Sequence, residues 1–165
     1  MDMQEYNLAA LFFLLAAVPI GLFVAYSDLS RMKIPNVANY ALVASFAVLG
    51  LIFLPFTDYL WQWSHLVVVL LIGIVLNAAG VMGAGDAKFM AAAAPMIPLA
   101  AAHQLLPIAI VCLLAGFATH RIAMHSPIRQ MVPHWESWTA GNKFPMGFPL
   151  SMILVTFLAI QAFQI

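Results

Sequence analysis

Charge is what this sequence has least of. Its 165 residues include six Lys plus Arg and six Asp plus Glu, 7% charged in all, where an ordinary soluble domain carries about a quarter. A water-exposed globule needs a polar surface that this chain cannot supply. With 65% hydrophobic residues and a mean hydropathy of +1.01, it reads as a membrane protein. The formal net charge is zero and no basic run occurs, so membrane lipid is an expected partner and nucleic acid is not. Cys112 is the single cysteine, which excludes an intrachain disulfide and a Cys-based zinc cluster. His65, His103, His120, His125 and His134 show no HExxH or related spacing. The ten Met residues are scattered, as packing filler is, and no metal or cofactor is expected. The first residues, Met1-Asp2-Met3-Gln4-Glu5, are acidic where a secretory signal is positive. The first apolar run is therefore expected to be retained.

What the chain has in abundance is apolar length. A helix crossing a hydrocarbon core of about 30 Å needs about 20 mostly apolar residues, and by that ruler there are about six spans. The first runs from about Asn7 to Tyr26, with Pro19 and Gly21 inside it, and ends in Ser27-Asp28-Leu29-Ser30-Arg31-Met32-Lys33. Ile34-Pro35-Asn36 reads as a turn or helix start, with Pro suited to the first helical position. A second run covers Val37 to about Phe56. Asp58, Tyr59, Trp61 and Trp63 follow as an interfacial aromatic cluster, and a third run covers His65 to about Met82. The fourth, Phe89 to Ala102, is short, Ala-rich and carries Pro95 and Pro98, which predicts a broken or strongly tilted helix. The fifth runs from Leu105 to about Thr119. After it the longest polar segment, holding His120, Arg121, Arg129, Glu136 and Lys143, reaches Phe144, and the last run covers Met146 to Gln164. The expected fold is an all-α membrane protein, a bundle of about six transmembrane helices, with residues 1–165 as one integral-membrane domain and no separate soluble domain.

Charge asymmetry supplies the orientation, because Lys and Arg in short loops collect on the cytoplasmic side. With six spans, Arg31 and Lys33 follow the first, Lys88 the third, and Arg121, Arg129 and Lys143 the fifth, whereas Asp2, Glu5 and Asp58 fall opposite. Both termini are then expected outside. Asp28 and Asp86 come to the same, cytoplasmic face, at the ends of spans one and three.

Each acid has an ordinary structural reading. Asp28 beside Arg31 can be solvated or paired, although a carboxylate near the C-terminal end of a helix opposes the helix dipole by about 0.3–1 kcal/mol, so another interaction is expected to compensate. Asp86 can pair with Lys88 or cap the fourth helix. Read together they offer chemistry. Two carboxylates in a partly desolvated site do not both ionise easily, so one keeps a proton while the other stays charged. Such a pair provides a base to activate water and an acid to protonate a carbonyl oxygen and a leaving amine. Gly83 and Gly85, lacking side chains, allow the backbone to bend and a substrate strand to approach.

Gly83-Ala84-Gly85-Asp86-Ala87-Lys88 resembles the GxGD motif of the type IV prepilin peptidases, and the stretch from Asp28 to Ile34-Pro35-Asn36 resembles that family's first-aspartate motif. Pro145-Met146-Gly147 is similar to its Pro-aromatic-Gly signature, with Met in place of the aromatic residue. The resemblance implies an aspartic endopeptidase of the inner membrane, with Asp28 and Asp86 catalytic. Gly83, Gly85, Lys88, Pro35, Asn36, Pro145 and Gly147 are then supporting residues. The implied substrate is a prepilin-like protein with a basic leader and a hydrophobic helix, cleaved on the cytoplasmic side. The small size is similar to the peptidases of tight-adherence (Flp-type) pilus systems. Larger relatives carry a zinc-binding cysteine domain and methylate the new N-terminus; with one cysteine and no such domain, this chain is expected to cleave without methylation. Presenilin-like proteases share the GxGD, but their Tyr-Asp pairing and Pro-Ala-Leu motif are missing here. Archaeal preflagellin peptidases are a closer alternative.

A non-enzymatic alternative is a small transporter, channel or assembly scaffold using paired Asp residues as a proton or cation path. Such a path needs ionisable groups near the midplane, whereas both acids here lie at one face. Of the remaining polar residues, Lys88 is expected to tune the charge on Asp86 or to snorkel to the interface. Asn77 is expected to make an interhelical hydrogen bond, and Arg31 and Lys33 to set topology. Glu136 reads as a solvated loop charge.

Overall fold

The computed structural model describes residues 3–141 and 143–163; Asp2 and Gln164 lie outside them. Among the described residues all regular structure is helical: α1 (Met3–Arg31), α2 (Asn36–Phe53), α3 (Phe56–Ala78), α4 (Ala84–Ala93), α5 (Leu105–Met124), the single turn α6 (Ile128–Met131) and α7 (Gly147–Phe163). This is the expected all-α membrane bundle. Four apolar segments are long enough to cross a membrane, Tyr6–Arg31, Asn36–Phe53, Phe56–Ala78 and Leu99–Met124, and Gly147–Phe163 is a shorter apolar helix.

α1 is the axis. At 1.5 Å per residue its 29 residues span about 43 Å, more than a hydrocarbon core of about 30 Å. Its last turn, with Asp28, therefore emerges at one face of the bundle. The helix runs through Asp28 to Arg31 rather than stopping near Tyr26, because Pro19 sits inside it without ending it and nothing in Ser27-Asp28-Leu29-Ser30 breaks a helix. α7 packs along α1, and α5 packs mainly on α7. α2 lies on the other flank of α1, followed by α4 and then α3. The core between them holds Phe13, Phe46, Leu42, Phe89, Met96, Phe157 and Leu158. Tyr6 at the far end of α1 donates its hydroxyl to the Met96 carbonyl.

The fourth span is broken, as Pro95 and Pro98 require. After ten residues α4 gives way to short 3-10 turns at Ala94–Met96 and Leu99–Gln104, since proline removes a backbone donor and clashes with the preceding turn. What α4 lacks in length it recovers in closeness: Ala87, Phe89, Ala91, Ala92 and Ala93 are buried, and a Cβ on Gly73 of α3 would lie 2.8 Å from that of Ala87. The small residues let the two backbones approach. The aromatic cluster after the second span lies in the first turns of α3. Trp63 turns inward onto Phe46, ring centres 5.1 Å apart, as does Tyr59 at 5.5 Å, while Trp61 stays exposed.

Candidate active site

Asp28 occupies the last turn of α1 and is 5% exposed. Its Oδ2 accepts the backbone N–H of Gly147 at 2.6 Å, and the Phe148 N–H also points toward the carboxylate. These are the first two N–H groups of α7, which have no partner within their own helix. The Met146 carbonyl accepts the Leu150 N–H at 3.0 Å and so opens that helix. A carboxylate that opposes the dipole of α1 thus sits on the favourable, positive end of α7. That is the compensating interaction the sequence calls for, and Arg31 does not supply it.

Asp86 is cradled differently. Gly83 is the N-cap of α4 and Asp86 is the third residue of the helix. Its carboxylate reaches back toward the N–H of Gly83. This is half of a capping box, in which the third residue's side chain reaches back to the cap's N–H. The expectation that Asp86 itself is the cap is therefore off by one turn. Half-burial pushes the Asp86 carboxyl above the ordinary carboxylate range, and the Gly83 N–H partly offsets the shift.

Both cradles need glycine for space. A Cβ on Gly83 would lie 2.7 Å from Asp86 Oδ2; one on Gly147 would lie 3.0 Å from Asp28 Oδ2 and 2.9 Å from Ile34 Cγ1. Gly85 is another matter, since a Cβ there would meet Ile34 Cβ at an ordinary 3.5 Å. Ile34 touches the starts of both α4 and α7, a role sequence reasoning missed. The available signal was that it is the one large apolar residue between Lys33 and Pro35 in an otherwise polar turn. Met32, also missed, takes the left-handed conformation at φ 52. Its N–H closes α1 onto the Asp28 carbonyl at 2.9 Å, while Ser27 Oγ donates to the Lys33 carbonyl at 2.9 Å. Together they fold the chain back so that Ile34 reaches the acids. No sequence signal marks Met32, because glycine is the usual occupant of such a position.

The supporting residues divide into two groups. Pro145 and Gly147 are buried and present α7 to Asp28. Pro35 caps α2 at φ −67 and ψ 138, one position before the first helical residue, Asn36. Lys88 is exposed and donates to Asn36 Oδ1 at 3.4 Å, tying α4 to α2. Asn77 makes no interhelical bond; its Nδ2 donates to the Met82 carbonyl at 2.8 Å, shaping the turn that delivers Gly83. Glu136 lies in a 3-10 turn, Glu136–Trp138, and is not among the residues lining the cavity described next.

Asp28 and Asp86 open onto one cavity of about 1230 Å³, close enough to interact electrostatically across it. Its mouth is ringed by Arg31, Lys33, Lys88 and Lys143, and its inner wall by Met90, Ala109, Leu113, Leu150 and Ile153. Ala109 lies 15 residues before the end of α5 at Met124, about 22 Å along the helix, so the cavity runs from a charged rim to membrane depth. A pair of acids at the junction of a polar mouth and an apolar wall suits a substrate that is itself half polar and half apolar. The geometry agrees with sequence comparison: the model of the type IV leader peptidase family matches residues 9–120. The chain belongs to this family of membrane peptidases. The matched stretch includes Asp28 and Asp86 and ends before Gly147. No curated protein and no solved structure matches the chain.

Proposed function

We propose that the protein is an aspartic endopeptidase that removes the basic leader of type IV prepilin-like subunits of the Flp type. Asp28 and Asp86 are its catalytic pair. The observation that carries this reading is that two acids from distant parts of the chain open onto the same cavity, each fixed by a glycine N–H at the start of a helix. One carboxylate takes a proton from a water held between them, and the water attacks the scissile carbonyl. The other, protonated, carboxyl donates to the carbonyl oxygen, and the leaving amine receives a proton as the tetrahedral intermediate collapses. Burial favours such a split, because two neighbouring carboxylates in a partly desolvated site resist ionising together.

The substrate is bipolar and so is the cavity. The apolar helix following the scissile bond lies against Leu113, Leu150 and Ile153, and the bond itself reaches the acids at the rim. The four cations of the rim repel a basic leader, so the leader stays outside, in the cytoplasm and near the membrane surface, and is released without a grip on it. The basic residues Arg31, Lys33, Lys88 and Lys143 support a rim that faces the cytoplasm from an inner membrane. Cleavage without N-methylation is part of this reading, supported by the single cysteine, Cys112, which cannot by itself form the paired-cysteine zinc site of the methylating relatives. Co-expression with a candidate prepilin, with the leader followed by gel shift, tests the reading. Wild-type protein shortens the prepilin, and Asp28→Asn and Asp86→Asn each leave it full length. Processing by both variants overturns it.

A further inference from the structure

A second cavity, of about 250 Å³, lies on the side of α4 facing α2 and α3. Its walls fall into two parts. Val43, Leu66 and Leu70 form an apolar slot, while Asn36, Asn39, Tyr40 and Lys88 gather at the end where α2 begins. Seven residues of helix separate Asn36 from Val43, about 10 Å, so the polar end lies at the same face as the candidate active site and the slot leads toward membrane depth. Asn39 is the informative residue. It is 6% exposed, yet neither Oδ1 nor Nδ2 has a hydrogen-bond partner. Leaving both halves of a buried amide unpaired is costly, which points to a ligand supplying an acceptor and a donor together. Beside it, the exposed Lys88 ammonium makes one long bond, 3.4 Å to Asn36 Oδ1, and has donors to spare.

We propose that this cavity seats one anionic glycerophospholipid of the phosphatidylglycerol type. Its phosphate lies between Lys88 Nζ and Asn39 Nδ2, a headgroup hydroxyl donates to Asn39 Oδ1, and the first part of one acyl chain lies in the slot along Val43, Leu66 and Leu70, the rest of the lipid extending into the bilayer. The chemistry narrows the occupant. A choline or ethanolamine headgroup would bring a second cation to Lys88. A free phosphate would leave the apolar slot unfilled. A peptide helix pairs its own backbone donors and acceptors and would leave the Asn39 amide unanswered. Lys88 and Asn36 also line the larger cavity, so the lipid sits against the far side of the active-site wall. Its binding does not depend on the peptidase reading.

The test is native mass spectrometry of the purified full chain, released from nanodiscs holding equal amounts of phosphatidylglycerol and phosphatidylcholine with matched acyl chains. The wild-type protein is expected to retain one phosphatidylglycerol per chain with roughly tenfold preference, the scale of one hydrogen bond to a charged group. Asn39→Leu, which keeps the volume and removes the orphaned amide, brings retention down to the phosphatidylcholine level, with far-UV circular dichroism showing that the helices are intact. Lys88→Met does the same and carries the test should Asn39→Leu not fold. Three results overturn the proposal: equal retention of the two lipids by wild-type protein, wild-type preference in the folded variants, or displacement of the lipid by equimolar glycerol phosphate, which would mean that the headgroup alone suffices.

Discussion

The two acids are held by the same device built in two ways. Asp86 is fixed by a glycine three residues earlier in the same helix cap, whereas Asp28 is fixed by a glycine 119 residues away that opens α7. The local cradle forms whenever the start of α4 forms. The long-range one exists only when α1 and α7 are docked along their length. One half of the site is therefore a property of a turn, and the other half reports the assembly of the whole bundle.

This difference predicts different consequences for the same substitution. Gly147→Ala drives a methyl group toward Asp28 Oδ2 and Ile34, neither of which has room to yield, since Asp28 is buried and Ile34 is wedged between two helix starts. It should lower leader cleavage by about 100-fold, the cost of misplacing a reacting group by about 1 Å. It should also destabilise the fold by about 1–3 kcal/mol through overpacking, measured by thermal unfolding in detergent. Gly83→Ala meets only the far end of the Asp86 side chain, which can swing away. Cleavage should fall by a similar factor, while stability changes by less than about 1 kcal/mol, the range of an N-cap substitution. Equal stability losses in the two variants would erase the contrast.

A smaller effect follows from the charge on Asp86. Burial raises its carboxyl, so the folded protein holds a proton there over a range in which the unfolded chain, with an ordinary pKa of about 3.9, has released it. Stability conferred by that proton is present at low pH and declines as pH rises through the raised value. Asp86→Asn abolishes the loss and keeps an acceptor for the Gly83 N–H. It should therefore unfold at a higher temperature than wild type at pH 7 and at the same temperature near pH 3; the opposite order at pH 7 would show that the charged form is the one the fold favours. The smallest effect belongs to Met32→Gly. It relieves a left-handed methionine, worth roughly 1–2 kcal/mol, and adds freedom to the unfolded chain that offsets about 0.4–1 kcal/mol. A net gain of about 1 kcal/mol or less is expected by chemical denaturation.

The same contrast explains what was legible in the sequence. Helix type was readable because the spans carry apolar runs of their own, and the break in the fourth was readable because Pro95 and Pro98 act on their own backbone. That Asp28 and Asp86 come to one cavity followed from loop charges, which sort by side without any knowledge of packing. The cradle of Asp28 was only half readable: Gly147 stood out as a motif residue, but its N–H reaches Asp28 only across a docked helix pair. Nor was the inward turn of Trp63 onto Phe46, which depends on how α3 rotates against α2. Asn77 was misread for a related reason: a polar residue in an apolar run suggests a partner helix, but it sits near the end of α3 and bonds the following turn.

The central claim is that Asp28 and Asp86 work as one unit, and a double-mutant cycle tests it most directly. Initial cleavage rates are measured for purified wild-type, Asp28→Asn, Asp86→Asn and doubly substituted protein acting on one prepilin in detergent. Each single substitution should lower the rate by on the order of 10²–10⁴-fold, and the double variant should be no slower than the worse single one, since groups acting together are lost together. Either single variant retaining near wild-type rate, or losses that multiply in the double variant, would contradict the pair.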